Sequence, residues 1–286
     1  MGNILYGKII VIADLLQAGN TCTFTSGSTV ITKTVGNDGI VEAMLPAFKR
    51  WEVELDGYID YVDLGCGECH TVNLALDKTT WQGIQNILDA HRETELLEIG
   101  DELTANIGGV DYIYQVGGIN LYDSHEVIFV PKVCIGTYKH HTSQVNPGGW
   151  SQSDIRTYLN GTFKTALPSD IKNNLKTLAF KASSGDNSTS IITTDDDIWL
   201  PREYEIFGDI IVSKNTEAQY CRQYPIFTTQ SQRVRTNNGV STYWWSASPA
   251  TAGTFCRIYY DGSTTTASNA ANNYGLVPCF RFLANV

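Results

Sequence analysis

Along the first quarter of the chain, apolar and polar residues alternate with the period of two that gives a strand one buried and one solvated face. Runs at Leu5–Ile12, Thr21–Thr25, Thr29–Val35, Ile40–Leu45, Trp51–Leu55, Tyr58–Leu64 and Thr71–Leu76 follow one another between turn residues. That rhythm predicts a small all-β sandwich. Asn37-Asp38-Gly39, between Thr34 and Ile40, predicts a hairpin turn, because Asp-Gly accepts positive φ. No helical period enters residues 1–75, so they are expected to form a separate domain.

Beyond Ala75 the pattern mixes. Thr79-Thr80-Trp81-Gln82 predicts a helix start with Thr79 as the capping hydroxyl, followed by Trp81, Ile84, Ile87 and Leu88 on one face. Strands are expected at Leu96–Ile99, Val110–Val116 and Glu126–Val133. Further helices are expected from Ser151, with Ile155, Tyr158 and Leu159 facing inward, and from Ser169, with Ile171, Leu175 and Leu178. Residues 181–190 read as a polar loop, and Leu200–Gly208 as a short helical turn stopped by Gly208. The remainder reads as β. Tyr243 and Trp245 share one face and Trp244 takes the other. Phe255–Tyr260 and Ser263–Ser268 flank an Asp261-Gly262 hairpin, and Leu276–Leu283 closes the sheet. Residues 76–286 are therefore expected to be an α+β domain.

Composition adds bounds. Hydrophobic residues make up 42% and charged residues 17% of the chain, as in an ordinary globular protein. The formal charge of −10 argues against nucleic acid as a partner. From Gln232 onward, however, Arg233, Arg235, Arg257 and Arg281 face only Asp261, so the C-terminal region is mildly basic. No stretch reaches the ~20 apolar residues of a membrane span. The start, Met1-Gly2-Asn3 and then Lys8–Ile12, does not read as a signal peptide, which leads us to expect synthesis in the cytoplasm. Seven cysteines, mostly scattered, do not suggest a disulfide framework.

Candidate chemistry is sparse. Cys66-Gly67-Glu68-Cys69-His70 has the C-x-x-C-H spacing of covalent haem attachment, a chemistry of exported proteins. It also reads as a turn, a thiol-bearing hairpin tip or a zinc-binding pair. His140-His141 is adjacent rather than spaced for zinc, and Asp195-Asp196-Asp197 lacks calcium-loop spacing and reads as a solvated acidic loop. Glu203 and Glu205 read as surface or helix-start carboxylates, with paired catalytic carboxylates as the sharper alternative. Asn160-Gly161-Thr162 and Asn187-Ser188-Thr189 match glycosylation sequons and are taken as incidental without secretion. No metal and no cofactor is expected.

Between Ala250 and Gly275 the chain is built almost wholly of Ala, Thr, Ser, Gly, Asn and Tyr, without Lys, Glu, Gln, Met or Trp. Aromatic, core-like ends enclose it. Tyr among small polar residues suits a contact surface, where rigid rings anchor and small side chains adapt. Trp150…Ile155-Arg156…Leu159-Asn160…Phe163…Leu167-Pro168, Trp199-Leu200-Pro201…Glu205…Gly208, Tyr243-Trp244-Trp245-Ser246-Ala247-Ser248-Pro249 and Gly275-Leu276-Val277-Pro278-Cys279-Phe280-Arg281-Phe282 together resemble C-type-lectin-like domains. These are the domains of phage and prophage structural proteins and of the variable proteins of diversity-generating retroelements. Residues 1–75 resemble the immunoglobulin-like sandwiches attached to phage tail and adhesion proteins.

The resemblance implies a C-type-lectin-like domain over residues 76–286, with a variable region at about 236–282. Adenine-directed miscopying of AAY codons cannot produce the five residue types missing from the middle. By position, the variable ligand-binding face would comprise Ala250, Thr251, Gly253, Thr254, Arg257, Tyr259, Tyr260, Ser263, Thr264, Thr265, Thr266, Ser268 and Asn269. Trp244, Trp245, Pro249, Phe255, Leu276, Pro278, Phe280 and Phe282 would be the frame. The motifs of calcium-dependent sugar-binding lectins are missing from the sequence. The expected function is non-enzymatic binding of a protein or cell-surface receptor, displayed on a phage tail or bacterial surface, with tail proteins or further copies of the chain as assembly partners. The alternatives are an invariant phage structural domain and an oxidase of the formylglycine-generating type using Cys256 and Cys279.

Overall fold

A computed structural model of the chain describes residues 5–13 and 17–285; Met1-Gly2-Asn3, read above as the chain start, lies outside them. The chain divides into two compact units, Met1–Arg92 with Ala284–Val286 and Glu93–Leu283. The division falls beyond the expected 75/76 boundary because helix Trp81–Asp89 is tied to the first unit. Asn86 Nδ2 donates to the carbonyls of Asn73 and Ala75 at 3.0 and 2.8 Å. Gly83 makes the close approach to Asp77, where an added Cβ would lie 1.9 Å from the carbonyl oxygen.

The first unit holds β1 (Tyr6–Ile12), β2 (Thr21–Ser26), β3 (Thr29–Thr34), β4 (Ile40–Pro46), β5 (Lys49–Leu55), β6 (Tyr58–Leu64) and β7 (Cys69–Asn73). They form two sheets, ordered β4-β1-β7 and β3-β2-β5-β6. Ile9, Val11, Val41, Ala43 and Leu45 from one sheet and Phe24, Trp51, Val53 and Leu55 from the other share one buried core. The period-two pattern dictates this, since each strand sends alternate side chains inward. The expected hairpin at Asn37–Gly39 is a turn but not a hairpin. It carries the chain from β3 in one sheet to β4 in the other, so that Val41, Ala43 and Leu45 meet the core from the opposite side.

Helix caps are displaced from their expected positions. Thr80, not Thr79, is the cap of Trp81–Asp89 and accepts from Gly83 N at 3.0 Å, while Thr79 turns to Asp77. Thr80→Ala is therefore expected to cost about 1 kcal/mol and Thr79→Ala clearly less. Denaturant midpoints of the two variants check this, and equal losses would return the cap to Thr79. Ser153 rather than Ser151 caps the helix that opens at Asp154, accepting from Arg156 N at 3.2 Å. Ser169 is the first helical residue rather than a cap.

In the second unit come β8 (Glu102–Ile107), β9 (Val110–Ile119), β10 (Glu126–Pro131), β11 (Thr137–Tyr138), β12 (Leu178–Ser183), β13 (Ile191–Asp196) and β14 (Ile198–Trp199). After helix Glu203–Phe207, ended by Gly208 in the left-handed region at φ 69°, follow β15 (Thr236–Asn237), β16 (Val240–Ser241) and β17 (Trp244–Pro249). The last strands are β18 (Thr254–Ile258), β19 (Thr265–Asn269), β20 (Tyr274–Gly275) and β21 (Cys279–Leu283). Two five-stranded sheets result, β14-β21-β10-β9-β8 and β11-β20-β17-β18-β19, so this unit, like the first, is β-rich.

Two expectations change here. Leu96–Ile99 is not a strand; the chain instead makes a short helix at Glu93–Leu96 and then β8. Lys181–Ser183 belongs to β12, not to a loop. The closing strand β21 lies between β14 and β10 in its sheet, and Cys279–Phe282 are buried on both faces. Arg281 is accordingly taken inside, where it meets the carboxylates of Glu126 and Asp123 at 2.7 and 2.6 Å.

Candidate functional site

The sheet β11-β20-β17-β18-β19 gathers four tyrosines and one arginine on one face. Trp245 is the register partner of Arg257, and Arg257 of Thr266, so all three point to the same side. The Arg257 guanidinium lies 4.2 Å from the ring centre of Tyr243 and 5.0 Å from that of Tyr274. Its Nη1 donates to the Tyr274 hydroxyl at 2.5 Å and its Nε to Thr266 Oγ1 at 3.1 Å. Ser268 Oγ and Asn272 Nδ2 also donate to the Tyr274 hydroxyl, at 3.2 and 3.3 Å. Among the described residues Arg257 has no carboxylate partner; its charge is held by rings and hydroxyls, worth about 0.5–2 kcal/mol per ring. Tyr243 packs edge-on against Tyr259 and Tyr260 at 5.0 and 5.5 Å, and Tyr260 remains 45% exposed.

Around this face the sheet is closely packed and hydrogen-bonded. The His140 ring stacks on Phe255 at 3.6 Å and 4°, and burial pushes its imidazole well below the usual range, so Nε2–H donates to the Ser246 carbonyl at 3.0 Å. Trp245 Nε1 donates to the Tyr138 carbonyl at 2.9 Å. Asn146, fully buried, donates to the carbonyls of Thr251 and Thr254 at 2.9 and 2.8 Å. Its Oδ1 accepts from the amides of Gly253 and Asp186 at 2.9 and 3.0 Å.

The thirteen expected face residues are not one surface. Arg257, Tyr259, Tyr260 and Thr266 join the tyrosine cluster, and exposed Ser263 and half-buried Thr264 sit in the adjoining turn. Thr251 lies in the turn before β18 and Thr254 opens that strand, roughly 10 Å from Arg257 at the rise of three residues. Ala250, Gly253, Thr265 and Ser268 are buried and present no side chain to solvent, while Asn269 is half-buried. The turn after β18 is also longer than the two-residue hairpin expected. The last ladder pair is Ile258 with Thr265, and Tyr259 N donates to the Thr264 carbonyl across the loop. Sequence reading missed Tyr243 and Tyr274 as members of the face. The period-two pairing of Tyr243 with Trp245 carried the first, and the second falls in the Tyr-dotted Ala250–Gly275 stretch but is brought to the face by pairing of β20 with β11 and β17.

Several other candidates resolve differently from expectation. Asp195 and Asp196 belong to β13 rather than to a solvated loop. Asp196 is fully buried, accepting from Arg156 Nε at 2.6 Å, Trp150 Nε1 at 2.8 Å and Thr194 Oγ1 at 2.7 Å. Asp197 pairs with Lys164 at 2.5 Å. Glu203 and Glu205 are not surface carboxylates. Glu203 accepts from the amides of Val212 and Ser213, and Glu205 pairs with buried Arg202. Both lie inside because Arg202, Tyr122, Tyr224 and backbone amides supply the donors a buried carboxylate requires. Asn160 is engaged at both amide atoms, with Ile198 O, Asp197 N and Ile198 N among its partners. That engagement makes its sequon a structural feature. Cys66 and Cys69 are exposed and free, Cys66 on a turn and Cys69 at the start of β7, and between them Glu68 binds Gly65 N and His70. Cys256 and Cys279 are buried and burial pushes both thiols well up. Among the described residues no group of three or more His, Cys, Asp or Glu could hold a metal ion. Among them, too, no helix is long and apolar enough to cross a membrane.

No curated protein matches the chain. Among solved structures, one described as a "putative carbohydrate binding protein" from Bacteroides uniformis ATCC 8492 is 11% identical. The likeness covers 46% of this chain and 60% of that one, with a TM-score of 0.18. The chain thus spans less than two-thirds of that protein's length. A fimbrial protein from Bacteroides ovatus ATCC 8483 is 8% identical, over 98% of this chain and 71% of that one, with a TM-score of 0.24. Superpositions this poor define no shared fold. A family model does match, over residues 125–282, which is more than half of the chain and includes both five-stranded sheets' central strands and the tyrosine face. The chain therefore belongs to the family described as domain of unknown function DUF6273.

Proposed function

We propose that the chain is a non-enzymatic binding protein and that the Tyr243–Tyr259–Tyr260–Tyr274 face with Arg257 is its contact surface. The observation that carries this is Arg257, a cation with no carboxylate partner among the described residues, laid between two tyrosine rings on a half-buried sheet face. Tyr and Arg are the residues that most often dominate binding energy at an interface. Burial of Cys256 and Cys279, and the full engagement of Glu203 and Glu205 inside the fold, support contact over catalysis at this end of the molecule.

In this reading residues 93–283 have a C-type-lectin-like organisation, and the seven-stranded unit before them is an immunoglobulin-like support. The face is a retroelement-diversified surface shown on a phage tail or a bacterial cell surface, and its partner is a protein or other receptor there. The solvent-facing members would then be Thr251, Thr254, Arg257, Tyr259, Tyr260, Ser263, Thr264, Thr266 and Asn269. The Asn146 and His140 supports allow these to change at little cost in stability, since surface substitutions away from caps and packing stay within about 0.5 kcal/mol.

Two measurements test the proposal. Binding of the labelled full chain to intact bacterial cells should fall at least tenfold in both Arg257→Ala and Tyr259→Ala with unchanged melting; undiminished binding in both removes the face. Sequencing the locus across related isolates should find substitutions concentrated at those solvent-facing positions and matched to template adenines. An even spread along the chain removes the diversification and leaves an invariant structural domain.

A further inference from the structure

We infer that the cleft beside the tyrosine face is a saccharide subsite. It lies between β11, the segment that follows it, the helix opening at Asp154, and Asn273 just before β20. Its volume is about 860 Å³, inside the range of small-molecule sites. Tyr138 and Tyr158, stacked at 4.6 Å and 13°, form one wall, and burial pushes the Tyr158 phenol up. Tyr138 is also the register partner of Tyr274, so the cleft continues the tyrosine face across the sheet edge.

The polar lining is the informative part. Asp154, Lys139, Thr142 and Asn273 line the cleft, and among the described residues none of these four side chains hydrogen-bonds to the protein, Asp154 having only the nearby His141 ring as an electrostatic neighbour. That contrasts with Arg257, Ser268 and Asn272 nearby, whose polar atoms are bonded to one another through Tyr274. The cleft thus holds a donor-only ammonium, an acceptor-only carboxylate, and hydroxyl and amide groups that do both. Its one cation and one anion offset each other, which favours neither a free anion nor a free cation. A ligand whose groups each donate and accept fits every position, and a pyranose supplies such hydroxyls together with a C–H face for the tyrosine wall. A lipid or a flat aromatic ligand would leave the carboxylate and ammonium desolvated and unpaired, at a cost of several kcal/mol.

The inference rests on the reading of this sheet as a ligand face, and the experiment separates the two. The full chain is applied to an array of neutral and acidic oligosaccharides, and the strongest free oligosaccharide is then titrated by calorimetry against variants with unchanged melting. The expected result is an affinity at least tenfold weaker in Asp154→Asn and Tyr138→Ala, with Tyr138→Phe keeping the stacked wall and most of the affinity. Failure of every oligosaccharide to bind, or binding that survives both cleft substitutions, overturns the subsite. If binding survives these but is lost in Arg257→Ala and Tyr259→Ala, the tyrosine face stands and the cleft falls. If it is lost in the cleft variants and untouched by the other two, the cleft stands alone.

Discussion

Glu205→Ala is expected to destabilise the protein by roughly 3–5 kcal/mol, the cost of leaving one member of a buried ion pair without its partner. Arg202 is 2% exposed and Glu205 fully buried, and Arg202 Nη2 donates to Glu205 Oε1. That same oxygen accepts from the hydroxyls of Tyr122 and Tyr224, the latter at 3.0 Å, while Oε2 accepts from Arg202 N at 2.6 Å. Removing the carboxylate therefore strands a guanidinium, two phenols and a helix-start amide in a dry interior. The Arg202 guanidinium keeps the Lys181 carbonyl at 2.7 Å, the Tyr122 hydroxyl at 3.0 Å, the Phe180 ring at 4.3 Å and the more distant charge of Glu217, none of which replaces a paired carboxylate. Arg202→Met combined with Glu205→Gln should lose less than Glu205→Ala alone, because the stranded charge is gone and a neutral amide can still meet the phenols. Denaturant unfolding of the three proteins decides it. A loss under about 1 kcal/mol in Glu205→Ala would mean that water reaches the pair.

The strands of the first unit were legible because their information is local. Ile9 and Val11, or Trp51, Val53 and Leu55, announce an inward face by spacing alone. Which sheet a strand joins is not local, and so the turn at Asn37–Gly39 was mistaken for a hairpin. Buried charge was the least legible feature. Glu203, Glu205, Asp196 and Arg281 carry the polarity of surface residues, and several of the partners that let them lie inside are distant in the chain: Arg156 is 40 residues from Asp196, Tyr122 is 83 from Glu205, and Glu126 is 155 from Arg281. A sequence read in windows cannot see such pairs. The site divides the same way. Arg257, Tyr259 and Tyr260 stood out by type in a stretch of small residues. Tyr274, Tyr138 and the cleft depend on β20 pairing with β11 and β17, which nothing near them in sequence specifies.

The serines of Tyr243–Pro249 show what the aromatic run is for besides packing. Ser246 accepts from Ser248 N at 3.1 Å and offers its carbonyl to His140, while Ser248 Oγ accepts from Glu203 N at 3.0 Å and donates to Glu217. The motif thus joins the back of the tyrosine face to a pair of buried carboxylates, and the pH response of the fold should be set there.

Glu217 is fully buried, and desolvation, partly opposed by the Ser248 hydroxyl, the Ser183 amide and the charge of Arg202, pushes its carboxyl from 4.5 up to about 7. Nearby Glu203, itself pushed up by burial, adds like-charge repulsion. A carboxyl whose folded-state value is raised binds its proton more tightly in the folded state than in the unfolded chain. Its contribution to stability is complete below about 4.5, declines as pH rises, and is gone above about 7. At 1.36 kcal/mol per unit, the loss across that window is on the order of 3 kcal/mol. Glu217→Gln keeps an oxygen for Ser183 N, which lies 2.7 Å from Oε1, and replaces the ionisable oxygen beside Ser248 with a neutral amide. The wild type should therefore weaken between pH 5 and 8 relative to the variant, with the two close at pH 5 and the variant more stable by roughly 2–3 kcal/mol at pH 8. Unfolding free energies at several pH values in that interval provide the test, taken as the difference between the two proteins so that other titrating groups cancel. A difference that stays constant with pH would show that Glu217 ionises in the fold at its ordinary value, and that the carboxylate is fully accommodated by Ser248, Ser183 and Arg202.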